Sequence, residues 1–338
     1  VARYLARRLG QAALVVAGVI ALTFVVTRLV PGDPAVAYAG PKASPAELAA
    51  ARARFGLDDS VPAQLLAYVR DLLSGDWGTS LHTRRPVALD LATAFPASLE
   101  LVGAALLAAV VIGVPVGGLA ARHRGRGPDL GVRVCSVLAV SVPVFWLALA
   151  VQTVFASNLG WFPVAGEYDN ALDATSPLHV YTNITVVDAA ITGNWPMLTS
   201  TLSHLVLPAL VVAAYPAGLI AQMTRAALIE EAGHDHARMA RALGFGETAV
   251  LTRFALRPAL NPVLSLIALV FAYSVVNGFL VEAVFNWPGL GRYAADSIRS
   301  LDTPAIAGVT LLVALLYVLA NLVVDLFQGV IDPRARAR

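Results

Sequence analysis

A single lysine and a single cysteine occur among the 338 residues, and charged residues make up only 14% of the chain. Each scarcity excludes something. A phosphate-binding P-loop needs Gly-Lys followed by Ser or Thr, because the lysine reaches the phosphates and the hydroxyl holds magnesium. The lone lysine, Lys42, stands between Pro41 and Ala43, so this chain does not bind ATP by that device. Cys135 has no second thiol for an internal disulfide or a structural metal site. Inside its apolar stretch it is expected to be a buried, inert thiol. Ordinary soluble domains carry about 25% charged residues, so water is not the solvent for most of this surface. A net charge of +2 offers no global argument for nucleic-acid binding. His234 and His236, two residues apart, would point to different faces of a helix, and His82, His123, His179 and His204 have no ligand spacing. Neither His-Glu-x-x-His nor Gly-x-Ser-x-Gly occurs. No catalytic and no metal-ligating residue is therefore expected.

What is present is apolar length. Hydrophobic residues make up 58% and mean hydropathy is +0.71. Runs of about 20 apolar residues, enough to cross a hydrocarbon core, predict spans over 9–30, 97–121, 132–156, 201–224, 261–285 and 304–328. The expected fold class is an all-α integral membrane protein of six helices. Pro31-Gly32-Asp33-Pro34 after the first run is not a small-x-small cleavage site, so that run reads as a retained span and not as a signal peptide. Gly113, Pro115, Gly117, Pro143, Pro208 and Pro216 lie inside apolar runs, where a membrane bundle tolerates them.

Arginine alternates along the connections. Arg3, Arg7 and Arg8 precede the first span, Arg122, Arg124, Arg126 and Arg133 follow the second, Arg225 to Arg257 follow the fourth, and Arg334 to Arg338 end the chain. Segment 159–199 has neither Lys nor Arg but carries Glu167, Asp169, Asp173 and Asp188. The positive-inside rule puts both termini, the tail 331–338 and the loops 122–133 and 225–258 in the cytoplasm. Segments 31–96, between the first two spans, and 157–200, between the third and fourth, then lie outside, and the core permease region runs 97–330. Within 31–96, Ser44-Pro45-Ala46-Glu47 predicts a capped helix to about Phe55, and Val61–Leu73 a second, amphipathic one. Trp77, Trp161 and Trp195 suit a membrane interface.

Polar residues in spans are few: Gln152, Asn277, Glu282, Asn321 and Asp325. Glu282 and Asp325 fall near span ends. Gln152, Tyr273, Ser274 and Asn277 are the pore-lining candidates, with an interhelical hydrogen bond as the alternative for Asn277. The loop 225–258 reads as helix, glycine, helix. Asp235 or His236 opens a short helix, Gly244 ends it, and a second helix stops ahead of Pro258. Such a tip suits a groove on another protein or the membrane surface, and the residues alone leave both open.

The run Ala237 to Gly244, with Leu251 and Arg257-Pro258-Ala259-Leu260-Asn261-Pro262, resembles the cytoplasmic loop of ABC-importer permeases. Gly75 to Ser80, Arg85 to Val87, Pro96 to Glu100, Val142 to Trp146, Leu159 to Pro163, His204 to Pro208, Val281 to Gly291 and Gly329 to Arg334 resemble the B-type subunit of the dipeptide/oligopeptide/nickel branch. So do Pro31 to Pro34 and Phe55 to Asp58. The resemblance runs through nearly the whole chain. It departs at Arg238-Met239, where many importers have Glu-Ala, and in the long segment 165–200. It implies a type I importer permease of a bacterial inner membrane, moving peptides or a related solute such as haem or a nickel chelate. Asp235, His236, Arg238, Met239, Ala240, Arg241, Leu243, Gly244 and Phe245 would form a coupling helix docked on an ATPase. The implied partners are a second, C-type permease, one or two cytoplasmic ATPases holding ATP and magnesium, an extracytoplasmic binding protein and membrane lipid. The competing class is a self-sufficient secondary transporter or channel, which predicts repeated halves and charges at mid-membrane. Neither feature is evident in the sequence.

Overall fold

The structure, a computed structural model, describes residues 2–29, 35, 43–54 and 59–331. Lys42, the motifs Pro31 to Pro34 and Phe55 to Asp58, the tail beyond Ile331 and the side chain of Asp325 lie outside the described residues. The described chain is helical, and its only extended pairing is an isolated bridge between Thr79 and Pro86. Three helices are long and apolar enough to cross a membrane, or five when two bent pairs are each counted as one span. Two compact units divide the chain: residues 1–95 with 293–322, and residues 96–292 with 323–338.

In the first unit, α1 (Ala2–Leu29) contains the apolar stretch Gly10–Val25. α2 (Pro45–Arg54) begins with the expected cap. Ser44 N and Oγ donate to Glu47 at 2.7 and 2.8 Å, and Glu47 N donates back to Ser44 Oγ, which satisfies donors that every helix start leaves orphaned. α3 (Val61–Ser74) packs Tyr68 against Phe24 of α1, with ring centroids 5.9 Å apart, and stops at Gly75 in the left-handed region. The loop after it is held by the buried Asp302. This carboxylate accepts from Ser80 Oγ at 2.5 Å and His82 N at 3.0 Å, and caps the last helix through Ala305 N at 3.1 Å.

The second unit is built around α8. Its elements in chain order are α4 (Val87–Arg122, from Pro96 onward), α5 (Gly127–Ser141), α6 (Val144–Val151), α7 (Thr185–Thr192), α8 (Trp195–Glu231), α9 (Asp235–Ala242) and α10 (Leu256–Phe285). α11 (Leu290–Arg299) and α12 (Thr303–Ile331) follow. α8 packs along α10, α5 and α7, and its Leu205, Val211, Val212 and Ile220 form one core with Leu101 and Ala109 of α4 and Val263 of α10. In lipid the tails are as apolar as these side chains, so close packing and hydrogen bonds must supply the attraction. Asp129 of α5 supplies one of those bonds. It accepts from Gly125 N at 2.9 Å and pairs with Arg225 Nη2 of α8 at 2.8 Å.

Three expectations change. The span 132–156 is not one helix: α5 and α6 meet at 105° across Val142-Pro143, and Gln152–Asn158 continues α6 as a π-helix. The residue before a proline is driven out of the α region, and Val142 is extended, at φ −80° and ψ 128°. The helix after Gly244 does not stop ahead of Pro258. A π-helical stretch Val250–Ala255 runs directly into α10, and Pro258 lies inside the continuous helical run Glu247–Ile267. Cys135 is exposed on this chain, because α5 turns Ser136, not its neighbour, towards α8 near Gly218.

Candidate functional site

The loop between α8 and α10 is a small folded body. Ala237 and Ala240 face inward on α9 and bury against Val250, with Phe254 packed on them. Two alanines allow an eight-residue helix to lie close to the π-helical segment. Gly244, at φ +87°, reverses the chain after Leu243, a conformation that favours glycine. Gly244 N donates to Arg241 O at 2.9 Å and Phe245 N to Ala240 O at 3.2 Å, and the Phe245 ring rests 5.1 Å from Phe254. Arg241 braces the turn, reaching Glu247 with Nε at 3.0 Å and Nη2 at 2.8 Å and Ala232 O with Nη1 at 2.8 Å. That forked bond holds the Glu247 carboxyl below its ordinary pKa. What remains outside is apolar: Met239 is 66% and Leu243 68% exposed, one helical turn apart. Around them stand Asp235, paired with Arg238 at 3.5 Å, and His236, 3.7 Å from Glu231. Met239 and Leu243 thus form an exposed apolar pair ringed by charge at the tip of the loop.

The bend between α5 and α6 opens a second site. A cleft of about 310 Å³ lies beside Val142-Pro143 and is lined by Tyr215 of α8 and by Tyr273, Ser274 and Asn277 of α10. The rings of Tyr215 and Tyr273 stack with centroids 4.3 Å apart. Ser274 Oγ is turned to Val270 O and Asn277 Nδ2 to Tyr273 O within their own helix. Phenols, an amide and apolar walls offer hydrogen bonds and stacking without a fixed charge. Gln152 is placed elsewhere. Its Nε2 donates to Val164 O at 2.9 Å and Val284 O at 3.2 Å, away from the other three. Tyr215 and the Val142-Pro143 break went unnoticed as lining. A proline in mid-span and a tyrosine beside Pro216 were the available signals.

A third feature was not foreseen. Glu282 lies near the C-terminal end of α10, as its place in the apolar run predicts, and is fully buried. After it the chain reverses at Asn286, φ 53°. Gly291 N donates to Glu282 Oε2 at 2.6 Å, Leu290 N to Ser98 Oγ at 2.8 Å and the buried Trp287 Nε1 to Ala97 O at 2.9 Å. A Cβ at Gly289 would strike the Glu282 carboxylate, and one at Gly291 the backbone of Phe279. This knot ties the end of α10 to the start of the second unit's α4. Trp287→Phe removes the indole donor and part of the ring, and is expected to lower stability by about 1–3 kcal/mol. The check is the thermal unfolding midpoint of purified protein in one detergent, and an unchanged midpoint would contradict this account of the knot.

Among the described residues, three helices, or five with each bent pair as one, are long and apolar enough to cross a membrane, as a multi-pass membrane protein requires. The chain belongs to the family described as binding-protein-dependent transport system inner membrane component, which matches residues 113–337, and the N-terminal region of such components matches residues 1–102. Similar proteins cover almost all of it. The probable D,D-dipeptide transport system permease protein DdpB of Escherichia coli (strain K12) is 42% identical over 95% of this chain and 94% of its own length. The dipeptide transport system permease protein DppB of Alkalihalophilus pseudofirmus is 36% identical over 98% and 99%. The glutathione transport system permease protein GsiC of Salmonella choleraesuis is 34% identical over 93% and 92%. The chain is thus a multi-pass permease subunit of an ABC importer in the bacterial inner membrane.

Proposed function

We propose that this chain forms half of the translocation pathway for short peptides, with alternating access driven by ATPases outside it. The observation that carries the substrate class is similarity over at least 93% of the chain to permeases of dipeptide and glutathione systems. The neutral cleft supports it, because a solute of paired opposite charges or none needs no counter-ion there. The chain crosses six times when α1 is counted and each bent pair is one span. Both termini and residues 225–258 face the cytoplasm, and residues 31–96 and 157–200 lie outside. Met239 and Leu243 seat in an ATPase that binds ATP and magnesium. A second, C-type permease completes the pathway, and a binding protein delivers the peptide from outside. This chain itself performs no hydrolysis.

The test is purification of the chain from its native membrane, followed by uptake of a labelled dipeptide into proteoliposomes. A second permease and an ATPase are expected to co-purify, and uptake is expected to require ATP and added binding protein. A lone chain that moves solute without ATP would overturn the importer assembly. ATP-driven uptake of a different solute, with peptides ignored, would overturn only the substrate class.

A further inference from the structure

A separate cleft, of about 590 Å³, lies where the turn between α4 and α5 meets the beginning and end of the α9 loop. Its rim carries Arg122, Arg124 and Arg126, none of which makes an ion pair among the described residues. Solvated arginines beside a span are common and by themselves say only which way the loop faces. Here their arrangement says more. Gly125 takes φ +74°, and Arg126 N closes on His123 O at 2.9 Å, so a tight turn gathers the three guanidiniums around one opening. Three carboxylates in this region have other partners: Asp129 holds Arg225 at 2.8 Å, Glu247, on the rim with Arg241, holds that arginine at 2.8 Å, and Glu231 faces His234 at 3.1 Å. Arg122, Arg124 and Arg126 have no anionic partner among the described residues. The floor is different in kind, because Ala121, Ile229 and Leu251 line it, and Ala121 and Leu251 are buried against the body of the protein.

We propose that this cleft binds a phosphate-bearing anion and thereby clamps the α4–α5 turn to the α9 loop. Arginine forks match phosphate oxygens in pairs, and three of them on one rim exceed what a single monovalent carboxylate would satisfy. An apolar floor under a basic rim suits the glycerol end of an anionic phospholipid. The cleft also lies where the apolar part of α4 ends at Arg122, and arginines that flank a span suit the headgroup region. A free phosphate group has the same chemistry at the rim and no use for the floor.

The experiment uses the full-length chain with its co-purifying subunits, in nanodiscs of phosphatidylcholine with and without phosphatidylglycerol. Phosphatidylglycerol retained after a detergent wash is counted by native mass spectrometry, and inorganic phosphate is titrated against thermal stability in the phosphatidylcholine discs. Three variants are compared: Arg124→Gln with Arg126→Gln, the replacement of all three rim arginines by lysine, and Arg299→Gln as a control. The lysine variant keeps the charge that orients the loop and loses only the forked donors. Retention is expected to fall roughly tenfold in the double glutamine variant, less in the lysine variant, and not at all in the control. Stabilisation by inorganic phosphate that the double variant loses, without selective retention of phosphatidylglycerol, would identify a free phosphate as the ligand. Equal lipid retention by all variants together with no response to phosphate would overturn the proposal, and neither result bears on which solute is transported.

Discussion

Gly244→Val is expected to abolish solute uptake while leaving the chain inserted in the membrane. No atom lies within 4 Å of where a Cβ at Gly244 would stand, so crowding is not the reason. The backbone is. At φ +87° a β-branched residue pays a strain of roughly 1–3 kcal/mol, and the chain can escape it only by leaving the left-handed region. The cap bonds Gly244 N to Arg241 O and Phe245 N to Ala240 O then break. An eight-residue helix has little stability of its own, so losing its cap releases Phe245 from Phe254 and moves Met239 and Leu243 off their platform. Asparagine tolerates the left-handed region, and Gly244→Asn is expected to keep most of the uptake. Transport into vesicles, with ATPase activity followed in parallel, reads both variants. Uptake by the valine variant equal to the parent would show that the turn has no part in coupling.

The largest loss of stability is expected from Gly117→Leu. Gly113 and Gly117 sit one turn apart on α4 and let it approach α8 closely. A Cβ on Gly117 would stand 2.5 Å from Ala221 O and 2.8 Å from Thr224 Cβ, and one on Gly113 would stand 2.8 Å from Ile220 Cγ2. A carbonyl oxygen in a helix cannot rotate aside, so the helices must separate. That cost exceeds the roughly 1–3 kcal/mol of ordinary overpacking, and it falls on helices held together by close contact. Little folded Gly117→Leu protein should survive detergent extraction. Gly103, also on α4, has nothing within 4 Å of its missing Cβ, and Gly103→Leu should be recovered at the parental level. Equal recovery of the two variants would contradict the close approach of α4 and α8.

Much of the α9 loop is legible in the sequence. Its helix start at Asp235 and its glycine turn depend on residues within a few positions of one another, and the structure has both. The Ser44–Glu47 cap is likewise local. The misreadings share another cause. Apolar length alone cannot tell a continuous span from two helices at 105°, although Pro143 marks where the break falls. Pro258 reads as a stop because proline usually ends a helix, yet the π-helical stretch Val250–Ala255 carries the helix through it. Glu282 does stand near the end of its helix, but its partners Gly291 and Ser98 come from other segments, which no local pattern reveals.

By itself the sequence determined where the apolar helices lie, which loops carry the arginines, and that this chain holds no P-loop of its own. Those properties are sums over neighbouring residues, so they can be read in order along the chain. Only the tertiary structure decided which side of each helix turns inward, which tyrosines share a cleft, and what Glu282 and Asp302 hold. Trp287 meets Ala97 across 190 residues, and Asp302 meets Ser80 across 222. No local periodicity encodes such distant pairings. In lipid, moreover, hydrophobicity is the same on the inner and outer faces of a helix, so packing and hydrogen bonds alone distinguish them.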